Sequence, residues 1–239
     1  MEPIYIKNFV SHPDAFLSLR NDLNWERRPS APRSEYWTNT FDRPYTYGSG
    51  VGIRTYNSQP SHELIDFYRN KLSEQFEGNF EGCFLNLYED KRDWLGWHSD
   101  DDPGIDHSCP IAVITLGHQR MINWKPKGGK GIECISQKML EHGSLFIMPA
   151  GMQETHLHRI PKADHDTGAR ISMTYRCLLE SYPFDYLEAE PAEDAPFVDN
   201  PSGLYCPSCR ATGLSHCSSP EYCGGMRRMK THSDTEKEN

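Results

Sequence analysis

Two histidine-bearing strings in this 239-residue chain could hold a metal ion. The first runs Trp94-Leu95-Gly96-Trp97-His98-Ser99-Asp100-Asp101, with His98 and Asp100 two residues apart. In extended backbone, residues i and i+2 point to the same face, so an imidazole and a carboxylate converge on one ion. The second, His156-Leu157-His158, follows an apolar run and offers a third ligand from either histidine. Two imidazoles and one carboxylate leave coordination positions open for O2 and a further oxygen-donor ligand, the arrangement of nonheme ferrous sites. Zinc accepts the same donors, and the bland alternative is a core histidine beside a turn-forming aspartate.

A second set of residues could hold an anion beside that ion. In the stretch 170–177, alternation puts Arg170, Ser172, Thr174 and Arg176 on one face and Ile171, Met173, Tyr175 and Cys177 on the other. If the apolar set packs into protein, two guanidiniums line an interior and require anionic partners. A dicarboxylate suits them, because Arg pairs with carboxylates through two parallel hydrogen bonds. Phe84, Asn86 and Tyr88 likewise share one strand face, offering an amide and a phenol to the same cavity.

Positioning these groups requires a β scaffold. Short β-branched or aromatic runs at 84–88, 111–116, 120–124, 144–148 and 170–179 alternate with Gly, Pro and Asp. This texture predicts a mainly β (α+β) fold, a jelly roll, over a parallel α/β sheet. A short strand at 4–9 precedes a helix marked by Phe16, Leu17, Leu19 and Leu23, and a second helix is expected over 62–76. Residues 27–60, rich in Arg, Pro, Ser, Tyr and Gly, read as a long surface excursion or loosely paired hairpins. The expected organisation is N-terminal helices with the excursion over 1–82, a core over 83–182, an acidic Pro-rich linker over 183–201, a Cys-rich appendage over 202–226 and a disordered tail over 227–239.

Composition narrows the function classes. No apolar run approaches the ~18 residues of a membrane span, and the first residues lack a basic-then-apolar leader. A cytoplasmic or nuclear monomer without membrane contact is therefore expected. The net charge is −9, but seven of the 34 acidic residues lie between Glu180 and Asn200, where there is no Lys or Arg. Setting them aside leaves 25 basic against 27 acidic residues, a near-neutral body that can carry a basic groove. Cys83, Cys109, Cys134 and Cys177 read as inert buried thiols of a reducing compartment. Cys206, Cys209, Cys217 and Cys223 cluster with the spacing of a structural zinc site, although the second pair is irregular and His216 could replace one thiolate.

The assembled pattern resembles the AlkB-type Fe(II)/2-oxoglutarate dioxygenases, which repair alkylated nucleobases. The resemblance is carried by Asn86-Leu87-Tyr88, His98-Ser99-Asp100-Asp101, Ile111 to Gly117, Gly143 to Met148, His158-Arg159-Ile160-Pro161-Lys162 and Arg170 to Arg176. It implies a double-stranded β-helix with Fe(II) on His98, Asp100 and His158. His158 is preferred over His156 because the family's ligand directly precedes a residue-aliphatic-Pro stretch. It implies 2-oxoglutarate on Asn86, Tyr88, Arg170, Ser172 and Arg176. Ser172 is a departure, standing where the family has Asn.

A second match upstream, Pro32-Arg33, Tyr36-Trp37 and Pro44 to Gly50, looks like the family's nucleotide-recognition lid. Aromatic faces there could stack bases, with Arg and Gly approaching a strand. The resemblance implies substrate contacts from Arg33, Tyr45, Tyr47 and Asp102, with Tyr47 and His98 flanking a flipped base. The implied activity is O2-dependent demethylation of alkylated DNA or RNA, releasing succinate, CO2 and formaldehyde. Two alternatives are a 2-oxoglutarate-dependent hydroxylase of a protein or small molecule, and a non-catalytic metal-binding interaction module.

Overall fold

The structure, a computed structural model, describes residues 2–28, 31–47, 54–180, 204–205 and 227–228. They fall into two units, one of residues 1–45 and 56–182 and one of residues 46–55 and 183–239. In chain order the elements up to residue 180 are β1 (Ile4–Ile6), α1 (Ala15–Asp22), β2 (Ser34–Asn39), β3 (Tyr45–Tyr47), β4 (Arg54–Tyr56), α2 (Glu63–Gln75), β5 (Gly82–Tyr88), β6 (Leu95–His98), β7 (Ile111–Gly117), β8 (Arg120–Pro126), β9 (Ser136–Leu140), β10 (Leu145–Met148), α3 (Met152–Thr155), β11 (His156–Ile160) and β12 (Arg170–Arg176). In the second unit β13 (Leu204–Tyr205) pairs antiparallel with β14 (Arg227–Arg228). The segments holding Cys206, Cys209, Cys217 and Cys223, and most of the expected linker and tail, lie outside the described residues. Among the described residues, no helix is long and apolar enough to cross a membrane.

The main unit is mainly antiparallel β-sheet with few helices, consistent with a jelly-roll fold. A six-stranded sheet runs β1-β10-β7-β12-β5-β2, and a four-stranded sheet runs β6-β11-β8-β9. Period-2 alternation explains how they pack. On β7, Ala112, Ile114 and Leu116 join the same buried cluster as Leu19 of α1 and Ile65, Tyr68 and Leu72 of α2. Ile111 and Val113 of β7 belong instead to a second cluster with Ile122 and Trp124 of β8 and Ile160 of β11. The larger sheet thus presents one face to the helices and the other to the smaller sheet.

β12 is paired on both sides, with β5 and β7, and all seven of its residues are buried. Ile171, Met173 and Tyr175 join the helix-side cluster, which turns Arg170, Ser172, Thr174 and Arg176 towards the space between the sheets. The β7–β8 turn brings Gly117 opposite Arg170 at a φ of +83°, where a Cβ would lie 2.4 Å from the Ala169 carbonyl oxygen. Only glycine fits that left-handed, close-packed position, so it helps fix the entry of β12.

One expectation is corrected here. Residues 34–39, read as part of a surface excursion or loosely paired hairpins, form β2, which pairs with β5 and is buried at all six positions. Its polar composition misleads because the polar groups find partners inside the protein: Asn39 Nδ2 donates to the Arg43 carbonyl, and Glu35 pairs with Arg33. Two of the four scattered thiols, Cys109 and Cys134, are only half-buried.

Candidate active site

The small sheet brings the two histidines together. His98 closes β6 and His158 lies in β11, directly opposite in the antiparallel register, with ring centroids 4.1 Å apart. Asp100 follows two residues after His98, and one donor atom from each of His98, Asp100 and His158 lies within 4.8 Å of the others. His156, two residues earlier on β11, is not in this group; its Nδ1 lies 2.8 Å from Thr155 Oγ1.

Each donor is oriented by a second contact. The Gly96 carbonyl accepts from His98 Nδ1 at 2.9 Å, which places the ring proton there and leaves Nε2 with its lone pair. His98 Nε2 is 3.6 Å from Asp100 Oδ1. Arg176 donates from Nε and Nη2 to Asp100 Oδ2, at 3.2 and 2.9 Å. Gln153 Oε1, from α3, accepts from the Asp100 backbone N–H at 3.0 Å.

The electrostatics put all three donors in the state a cation needs. Burial lowers the His98 imidazole below its ordinary range, and burial together with His98 pushes His158 down to about 3. Burial would raise the Asp100 carboxyl, but the Arg176 guanidinium and the two imidazoles hold it well below the carboxylate range. At neutral pH the site offers two neutral imidazoles and one carboxylate, so a metal need not displace protons from its ligands.

The inner face of β12 and β5 gathers buried cationic and polar side chains. Arg170 is opposite Tyr88, and Ser172 is opposite both Asn86 and Thr115. Arg170 and Tyr88 are fully buried, with the Arg170 Cζ 5.3 Å from the Tyr88 ring centroid. Arg170 Nη2 donates to Thr115 Oγ1 at 2.9 Å, while Arg170 Nε and Nη1, Tyr88 Oη and Arg176 Nη1 have no hydrogen-bond partner. A buried guanidinium with two idle donors is costly unless an anion meets it. Burial, with a smaller contribution from the nearby Arg120, depresses Arg170 to about 10. A carboxylate-bearing ligand fits these orphaned donors, and the two-histidine, one-carboxylate set fits a ferrous ion beside it.

The residues expected at the substrate side lie as follows. Tyr45 is buried against Trp37 and Phe84, and Arg33 is buried with its guanidinium engaged inside the protein. Both side chains are therefore packed against protein groups. Tyr47 lies in the second unit, and its side chain is outside the described residues. Asp102 is half-buried and accepts from Gly104 N at 2.8 Å; burial raises its carboxyl.

Several contributors escape a reading of the sequence. Thr115 was within reach of the alternation rule, since it shares a strand with Ile111 and Val113. Gln153 and Arg120 carry no such signal. Arg120 is buried and donates to the carbonyls of Asp90, Asp93 and Pro161, with its Cζ 5.4 Å from the other partner of this cluster, the Tyr88 ring.

Comparison with known proteins adds a family context. A family model described as the 2OG-Fe(II) oxygenase superfamily matches residues 2–176. The chain is 29% identical over 175 residues to the Bos taurus protein named Alpha-ketoglutarate-dependent dioxygenase alkB homolog 3, covering 67% of this chain and 59% of that one. It is 28% identical over 210 residues to the Arabidopsis thaliana protein named DNA oxidative demethylase ALKBH2, covering 74% of this chain and 66% of that one. The chain thus spans about 59% of the bovine relative's length. A solved structure titled "The structure of OsALKBH1" superposes with a TM-score of 0.49 at 15% identity, covering 73% of this chain and 96% of that one, a likeness too slight to argue from.

Proposed function

Because the chain belongs to the 2OG-Fe(II) oxygenase superfamily, and is AlkB-like within it, we propose that it demethylates alkylated bases of DNA or RNA oxidatively. The products are succinate, CO2, formaldehyde and the unmodified base. In this reading His98, Asp100 and His158 hold Fe(II), and Asn86, Tyr88, Arg170, Ser172 and Arg176 hold 2-oxoglutarate. The strands at 83–182 then make up the double-stranded β-helix of the family.

The metal and cosubstrate supply the O2 activation when bound. The chain's own residues do the positioning. Arg170 and Tyr88 take the far carboxylate with donors that have no other partner. Arg176 keeps Asp100 ionised and turned towards the histidines. The apolar cluster around Ile111, Val113 and Trp124 keeps bulk water from the inner end of the pocket. On the substrate side, Asp102 is the described residue assigned to meet a flipped base, which costs least to extrude when alkylation has weakened its pairing.

The observation that supports the reading most strongly is the pairing of the His98–Asp100–His158 group with orphaned buried donors on Arg170, Tyr88 and Arg176. Formaldehyde release from oligonucleotides bearing different N-methylated bases tests it, with His98→Ala and Asp100→Ala as controls. Release by the wild type and none by either variant is expected. Turnover retained in the variants would refute the ligand assignment. Succinate formed with protein extracts but with no oligonucleotide would move the substrate to another class.

A further inference from the structure

A buried chain of polar contacts runs from β2 and its approach to the cosubstrate face of β5. Arg33 is 3% exposed and Glu35 0%. Arg33 Nη2 is 2.6 Å from Glu35 Oε1, and Tyr56 Oη donates to Glu35 Oε2. Arg33 Nε donates to Asn86 Oδ1 at 2.5 Å, and Nη1 reaches the Trp94 carbonyl at 3.5 Å. Glu35 and Asn86 are direct partners in the β2–β5 register, so Glu35 anchors Arg33 beside the residue that Arg33 touches.

The chemistry of the guanidinium determines what Asn86 can do. Arg has five N–H donors and no acceptor, so the amide atom facing it must be the carbonyl oxygen. The NH2 end of Asn86 is thereby turned away from Arg33. Asn86 shares its inner strand face with Tyr88 and pairs in register with Ser172, in the pocket where the idle donors of Arg170 lie. Without Arg33 the amide could turn over and present its oxygen, an acceptor, to an anion. Glu35 cancels the charge of Arg33, so the pair orients without adding net charge to the pocket.

A buried ion pair of this kind is weak support for stability, since a well-packed apolar pair often serves as well. We propose that Arg33 and Glu35 are positioning residues that hold Asn86 as a hydrogen-bond donor to the carboxylate-bearing cosubstrate, and so set its affinity. The proposal rests on the cosubstrate reading above. It gives Arg33 a role on the cosubstrate side of the site in place of contact with a nucleobase.

The test is a double-mutant cycle read by calorimetric titration of 2-oxoglutarate into the Mn(II)-loaded full chain. Replacing both partners, in R33M/E35M, avoids stranding one buried charge, and its melting temperature reports folding. R33M/E35M is expected to bind 2-oxoglutarate about tenfold more weakly, as for loss of one charge-assisted hydrogen bond, with Mn(II) affinity unchanged. N86L is expected to show a similar loss, and R33M/E35M/N86L no more than N86L alone, because the three act through one contact. Losses that multiply, or R33M/E35M affinity within twofold of wild type, would overturn the proposal. So would a variant that loses methylated-oligonucleotide binding while 2-oxoglutarate binding stays intact. A wild-type protein that binds no 2-oxoglutarate would instead sink the functional reading itself, so the two failures are distinguishable.

Discussion

Arg176 donates from two nitrogens to a single oxygen of Asp100, and the other oxygen of that carboxylate faces His98 Nε2 across 3.6 Å. The guanidinium thus selects which lone pairs are left for a metal. It also leaves Nη1 without a partner, beside the same pocket. In the proposed assignment, one side chain would therefore serve both the metal ligands and the cosubstrate face.

Arg176→Met removes both functions and strands a buried carboxylate. Metal affinity is expected to fall about 10–100-fold, as for other groups that orient a ligand. Metal-free stability is expected to fall by about 3–5 kcal/mol. Mn(II) titration measures the first and urea unfolding the second. Arg176→Lys keeps the charge without the two-pronged contact and is expected to lie between.

The Asp100 carboxyl sets a pH dependence whose sign follows from its lowered folded value. Burial works against ionisation there, and Arg176 with the imidazoles outweighs it. The stabilisation is complete above the ordinary carboxylate range, near ~4, and is lost as pH falls through the lower folded value. Urea unfolding of the metal-free protein between pH 7 and pH 2 is expected to show this loss, and Asp100→Asn to lack that portion of it. Parallel curves for the two proteins would contradict the assignment.

Gln153 ties α3 to the loop carrying Asp100. Gln153→Leu leaves the buried Asp100 N–H without an acceptor, at a cost of about 1–3 kcal/mol. Gln153→Glu restores the acceptor but adds a second carboxylate next to Asp100. Chemical denaturation is expected to show the loss for the first, and Mn(II) titration a changed affinity for the second.

Cys83 and Cys177 are pushed up to about 12 by burial, so at pH 8 almost none of either is thiolate. Iodoacetamide followed by peptide mapping is expected to leave both unmodified in the native chain and to alkylate both in urea. Rapid native labelling of Cys83 would show that β5 opens far more readily than its two paired neighbours imply.

What could be read from the sequence follows from where side-chain type and backbone period agree. The β-branched runs at 84–88, 111–116, 144–148 and 170–176 fall in β5, β7, β10 and β12, strands buried on both faces of a large sheet. Alternation alone separated Arg170 and Ser172 from Ile171 and Met173. It failed at β2, where Ser, Glu, Thr and Asn are all buried and where Glu35 and Asn39 find partners inside the protein. Gln153 and Asp100 are 53 residues apart and touch through a backbone amide, a contact that no local pattern encodes. Arg33 could be read from the sequence only as a substrate contact, because its ion pair with Glu35 and its bond to Asn86 join two strands far apart in the chain.

β6 is the outermost strand of the four-stranded sheet, only four residues long, and held on one side by β11 through a register shift between His158 and Ile160. So short a border strand has few backbone contacts to stop it peeling away. A cation gripped by His98 on β6 and His158 on β11 would act as a rivet through that border. Amide hydrogens around residues 95–98 should then exchange with solvent deuterium quickly in the metal-free protein and slowly once the ion is in place, making local breathing of the sheet a gauge of metal loading.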